Sequence, residues 1–200
     1  MSQANEILDF WFGIPTEPGY GKPRNVWFSQ DSEFDNQIRS RFLQDYEQAA
    51  QGLLDEWQNS AETCLALILL LDQFPRNLFR DTPQAFATDE KALSVAQNAI
   101  LQGYDKQSLT LKAYRILLPV QRWFIYLPFE HSENLDDQRQ AVDLFKELSQ
   151  YPDSASAIEY AIRHMEIIER FGRFPHRNVI LGRTSTAEEQ QFLQQAGNSF

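Results

Sequence analysis

The chain has 200 residues and a formal net charge of −10, from 28 acidic and 18 basic side chains. Such an acidic balance argues against a nucleic-acid or anionic-membrane partner, since both want a basic surface. Hydrophobic residues make up 42%, with 15 Phe and 4 Trp, enough for a sizeable core in one domain over residues 1–200 and too many for a disordered chain.

The first residues, Met1 to Glu6, lack the basic start and apolar stretch of a secretory signal and lead straight into a patterned helix. Residues 13–24 carry three Pro and three Gly and read as the most mobile loop. Phe34, Ile38, Phe42, Tyr46 and Ala49 recur at helical spacing over residues 31–51, with Gly52 as a C-cap. Ser60 caps the next helix, which carries Leu65 and Leu67 to Leu71 and should stop before Pro75. Its apolar run, Cys64 to Leu71, is far below the roughly 18 residues of a membrane span. Cys64 is the sole cysteine, so no internal disulfide exists and a reducing, cytoplasmic setting is expected. On that apolar face it reads as a small core residue rather than a nucleophile.

Thr88 opens a helix through Leu93, Ala96 and Ile100, closed by Gly103, and Ser108 opens another through Leu111, Tyr114, Arg115 and Leu118. Pro119 starts or kinks a helix over residues 120–127. Ser132 or Asn134 caps a helix reaching Gln150, with Leu135, Gln138, Val142 and Phe145 on one side. Ser156 with Glu159, and Thr186 with Glu189, have the spacing of capping boxes. The first precedes a helix to Phe171 with Gly172 after it, and the second a short helix ended by Gly197. No segment alternates like a strand. The expectation is an all-α fold, an irregular stack of antiparallel helix pairs without a clean 34-residue repeat.

Two turns resemble each other about a hundred residues apart: Asp72-Gln73-Phe74-Pro75-Arg76-Asn77 and Gly172-Arg173-Phe174-Pro175-His176-Arg177-Asn178. In each, Pro should end the helix and push the preceding Phe toward extended backbone, while Arg and Asn face the freed carbonyls. That structural explanation suffices for Pro and Phe. It leaves over the stretch from Arg170 to Ala187, which holds Arg170, Arg173, Arg177, Arg183 and His176 without one acid. Thr184 and Ser185 lead from there to a helix N-terminus, a natural anion site. The arginines can serve an anionic ligand or neutralise the protein's own acids. Of the basic residues, 13 are Arg and 5 Lys, and Arg suits bidentate pairing.

His131, His164 and His176 each lie beside Glu or Arg, which allows a shared polar cavity, although a lone histidine is more often a hydrogen-bonded structural residue. Asp72, Glu130 or Glu133 can partner a histidine in acid–base work. His131-Ser132-Glu133 lacks the cysteine pair of a zinc deaminase, and His164 has Ile167 and Ile168 where a second helical ligand would stand. No metal is expected. With no Walker loop, G-x-S-x-G or G-x-G-x-x-G, no cofactor is expected either.

The two turns, together with Leu127-Pro128-Phe129-Glu130-His131-Ser132-Glu133, Leu181-Gly182-Arg183, Ile7-Leu8-Asp9-Phe10-Trp11-Phe12-Gly13 and Phe86-Ala87-Thr88-Asp89, resemble the bacterial domain-of-unknown-function family number 924 across nearly the whole chain. The resemblance implies a tetratricopeptide-like superhelix of stacked helix pairs, and it implies no activity. Three functions follow from the residues. The first is a scaffold that binds an anionic small molecule or acidic peptide through Arg76, Asn77, His131, Arg173, His176, Arg177, Asn178 and Arg183. The second is a hydrolase using His131 with Glu133 or Asp72. The third is a protein-interaction scaffold with a concave groove and no small-molecule site.

Overall fold

The computed structural model describes residues 3–106 and 117–195, and among these every regular element is helical. In chain order they are α1 (Gln3–Phe12), α2 (Ser32–Ala50), α3 (Ala61–Ile68), α4 (Phe74–Leu78), α5 (Asp89–Leu101), α6 (Pro119–Glu130), α7 (Leu135–Lys146), α8 (Ala155–Phe171) and α9 (Ala187–Leu193). Ser108, Leu111, Tyr114 and Arg115, expected to form a helix, and Gly197 lie outside the described residues. α1 packs on α3, α2 on α4, α5 on α3 and α6, and α7 between α6 and α8.

The helix starts follow their capping residues. Asp31 accepts the Glu33 and Phe34 N–H groups at 3.0 Å each, and Ser60, Asn134 and Thr186 cap α3, α7 and α9. Thr186 and Glu189 form the expected reciprocal box. Ser156 and Glu159 do not. A turn begun by Pro152 starts the helix earlier, at Ala155, because Pro presets the φ of a first turn. The N-cap residue is Ser154, whose hydroxyl instead accepts the Trp123 indole N–H at 2.9 Å.

At the centre, the Trp11 ring lies 5.4 Å from Phe74 and 5.6 Å from both Phe34 and Phe124. The carbonyls at the end of α1 are taken by the loop that follows. Arg24 reaches Phe10 and Trp11 oxygens at 2.7 Å each, and the Trp27 indole reaches Trp11 at 2.9 Å. Cys64 is fully buried, and burial pushes its thiol up to about 12, as suits a core residue.

The helix containing Pro75 departs from expectation: it does not stop. α3 passes through a π turn, Leu69–Gln73, directly into α4, with Pro75 inside the helical run. Proline has no N–H to return to the carbonyl four residues earlier, Leu71. The wider π turn accommodates the ring, and the Leu71 carbonyl accepts the Thr88 hydroxyl at 2.6 Å. Thr88 is therefore spent on α4 and makes no side-chain cap for α5. α6 likewise runs past Pro128 to Glu130. It is buried at every position from Val120 to Glu130, so packing on all sides outweighs the break.

If the Thr88 hydroxyl replaces the donor that Pro75 lacks, the two residues must be coupled. Thr88→Val should cost about 1–3 kcal/mol, the penalty of a buried unsatisfied carbonyl, and less in a Pro75→Ala background. Urea denaturation of the four-variant cycle measures this, and strictly additive losses would exclude the coupling.

Candidate active site

Asp72 sits in the π turn with no exposed surface. His131 follows the last residue of α6, and its Nδ1 lies 2.7 Å from Asp72 Oδ1. The Gln73 amide donates to Asp72 Oδ2 at 2.6 Å, and Arg76 Nη2 stands 3.5 Å from Oδ1. Burial works to raise the Asp72 pKa, but the charges and hydrogen bonds of its neighbours win and hold it below the ordinary carboxylate range. His131 is shifted the other way from a normal ion-pair partner. Burial and the Arg76 cation lower its pKa by more than Asp72 raises it. The largest lowering influence on Asp72 is the charge of His131, ahead of Arg76 and the hydrogen bonds of His131 and Gln73. With His131 neutral, Arg76 is the cation left beside Asp72 and His131 supplies a hydrogen bond. A neutral imidazole facing an ionised carboxylate carries its proton on that nitrogen, Nδ1. The basic lone pair is then on Nε2, which has no hydrogen-bond partner among the described residues.

The two similar turns meet at one carboxylate. Asp89, the first residue of α5, takes Arg76 Nη1 on Oδ1 at 3.0 Å and Arg177 Nη1 on Oδ2 at 3.2 Å. Both guanidiniums lie over the Phe86 ring, at 5.7 Å for Arg76 and 4.6 Å for Arg177. Arg177 also lies 4.6 Å from Phe174. The turns differ in backbone. Phe74 is helical, whereas Phe174, after Gly172 in the left-handed conformation (φ 68°), is extended as Pro175 demands. One turn continues a helix and the other leaves one, yet their arginines converge.

Two of the three histidines flank Phe174, whose ring is 5.4 Å from His164 and 5.5 Å from His176. Burial lowers His164 to about 3 and His176 to about 4, and His131 and Arg177 act on both. His164 is buried. Its Nδ1 lies 3.1 Å from Glu130 Oε1. Glu133 does not pair with His131, two residues before it. It takes Arg183 through both oxygens, at 2.6 and 2.9 Å, and the Phe174 N–H at 2.8 Å.

The stretch that lacks acids in sequence is supplied with them in space. Arg170 binds Glu188 at 2.7 Å, Arg173 binds Glu189 through two contacts at 2.7 and 2.8 Å, Arg177 binds Asp89 and Arg183 binds Glu133. The asparagines hold structure too. Asn77 donates to Asp35 at 2.7 Å, beside the Arg80–Asp35 pair, and Asn178 donates to Ser185 at 3.1 Å. At the α9 N-terminus the Thr186 N–H is taken by Glu189. Asp72, Arg76, His131, His176 and Arg177 thus share one region with Glu133. Arg173, Arg183, Asn77 and Asn178 brace its edges.

Asp89 and Phe86 belong to this region and were not among the expected site residues, whereas Glu130, expected as a candidate histidine partner, lies beside His164. The one sequence signal for Asp89 and Phe86 is Phe86-Ala87-Thr88-Asp89, which carries part of the family resemblance. No three His, Cys, Asp or Glu side chains gather in a metal-binding arrangement among the described residues. A groove of about 510 Å³, lined by residues including Asp9, Phe12, Tyr20 and Gln121, shares no residue with the polar cluster.

No helix among the described residues is long and apolar enough to cross a membrane. No curated protein matches the chain. A solved structure of a protein of unknown function from Agrobacterium tumefaciens is similar, at 41% identity over 96% of each chain, with a TM-score of 0.80. Residues 7–197 match the family described as bacterial protein of unknown function (DUF924), and the chain belongs to that family.

Proposed function

We propose that the protein is a hydrolase in which His131 is the general base, oriented by Asp72, and that its substrate is a small anionic molecule. The observation that carries this reading is the 2.7 Å contact between His131 Nδ1 and a fully buried Asp72. A carboxylate so placed fixes the imidazole tautomer and steadies the imidazolium that forms when Nε2 takes a proton. Water gives that proton to Nε2 while its oxygen attacks the substrate, and the imidazolium returns it to the leaving group. Arg76 and Arg177 stand beside the dyad, where developing negative charge would meet cations. A cytoplasmic setting agrees with a lone buried thiol, Cys64, and the net charge of −10 speaks against a nucleic-acid substrate.

A pure anion-binding module has less support, because each arginine between residues 170 and 183 already meets an acid of the chain.

Two outcomes are expected. In a panel of small anionic esters, amides and phosphomonoesters, wild-type protein should turn over at least one class. His131→Gln and Asp72→Asn should lower that rate by roughly 10²–10⁴ while keeping the melting temperature. Turnover of no class, or equal turnover by His131→Gln, sinks the reading. Because the folded pKa of His131 is lowered, its base form persists as pH falls below the ordinary imidazole value near ~6.5. The acid limb of kcat/KM should therefore lie below that pH, and an acid limb above it would contradict the assignment.

A further inference from the structure

Glu130 and His131 are consecutive and turn to different partners. Glu130 faces α8, where its Oε1 lies 3.1 Å from His164 Nδ1. The same nitrogen lies 2.9 Å from the Tyr160 carbonyl oxygen. One N–H hydrogen thus serves two acceptors, and Glu130 Oε2, buried, has no hydrogen-bond partner. From α7 the contact is Gln138, whose amide donates to the Glu130 carbonyl at 2.6 Å.

The surrounding charges decide which protonation state fits. The carboxyl group feels the Asp72 anion, carried on the turn after α3. The imidazole of His164 feels Arg177, His176 and His131. An ionised Glu130 with a protonated His164 would set anion against anion and cation against cation, at buried positions where screening is weak. A neutral acid beside a neutral imidazole avoids both conflicts.

We propose that Glu130 is a neutral carboxylic acid at physiological pH and a positioning residue for His131: its proton spares Asp72 a second, uncompensated buried anion, so His131 stays unprotonated and basic at Nε2. The role toward His131 rests on the hydrolase reading, whereas the protonation state stands without it. The direction of the shifts agrees. Burial, then Asp72, pushes Glu130 up to about 8, while burial takes His164 down to about 3.

The consequence for stability has a definite sign. The folded pKa of Glu130 lies above the unfolded value near ~4.3, so its contribution is complete below that value and is lost as pH rises through about 8. The lowered His164 and His176 contribute in the opposite sense, present above ~6.5 and lost toward acid. Between pH ~6.5 and ~8 Glu130 therefore acts without their opposition.

Infrared difference spectra of protein labelled with ¹³C-glutamate should show one protonated carboxyl at pH 7 that ionises near pH 8 and is missing in Glu130→Gln. Over the same pH range the wild-type melting temperature should fall and that of Glu130→Gln should stay flatter. The His131 ring ¹⁵N signals should show an inflection near pH 8 in wild type only. Absence of the protonated carboxyl in wild type at pH 7 overturns the proposal, whether or not the variant folds. A His131 signal blind to Glu130 titration overturns the positioning role. If all three signals appear while the substrate panel shows no turnover, the hydrolase reading fails alone.

Discussion

A charge removed from water must meet a counter-charge close by, because the desolvation cost is several kcal/mol per ion. In this protein that constraint is satisfied around Asp89. Its two oxygens take one guanidinium each, from Arg76 in α4 and Arg177 between α8 and α9, while its own backbone starts α5. One carboxylate therefore ties together three stretches of chain spread over 101 positions, from Arg76 to Arg177. Arg177 has only 8% of its side chain exposed; without Asp89 it would be a buried cation beside a second cation. Phe86, beneath both guanidiniums, lends its ring face to a pair that would otherwise repel.

From that anchor the charges alternate inward: Asp89, Arg76, Asp72, then the neutral His131. The order explains how a fully buried aspartate can remain ionised and how the imidazole against it can remain neutral. A histidine beside an aspartate usually gains affinity for protons. Here Arg76 has already answered the aspartate, and burial decides the imidazole. The dyad's chemistry thus depends on a residue that touches it only at 3.5 Å.

The helices were legible because their signals are local. Spacing of apolar side chains and single capping residues such as Asp31, Asn134 and Thr186 act within one turn. The exceptions came from partners far along the chain. Pro75 reads as a stop until Thr88 supplies a donor for Leu71, and the Ser156 box loses to a turn set by Pro152. In the site, the polar residues of both turns were visible as a set, but pairing was not. His131 passes over Glu133, two positions away, for Asp72, 59 positions away. The Arg-rich stretch without acids looked like an unspent cation reserve. Its counter-ions lie in α5, the α6–α7 loop and α9, where no local reading finds them.

The π turn at Leu69–Gln73 has a further consequence, for register. A helix advances about 100° per residue, so a π turn, closing five residues apart instead of four, resets the angular phase of everything after it. Arg76 and Asn77 reach Asp89 and Asp35 in the phase that follows the reset. Were all of residues 69–73 to close as ordinary α-helix instead, both side chains would swing by about 100° from their carboxylates. The stretch would keep its apolar composition and its helicity, and still lose the site. In this segment the way the turn closes, as much as the type of residue in it, aims the arginine.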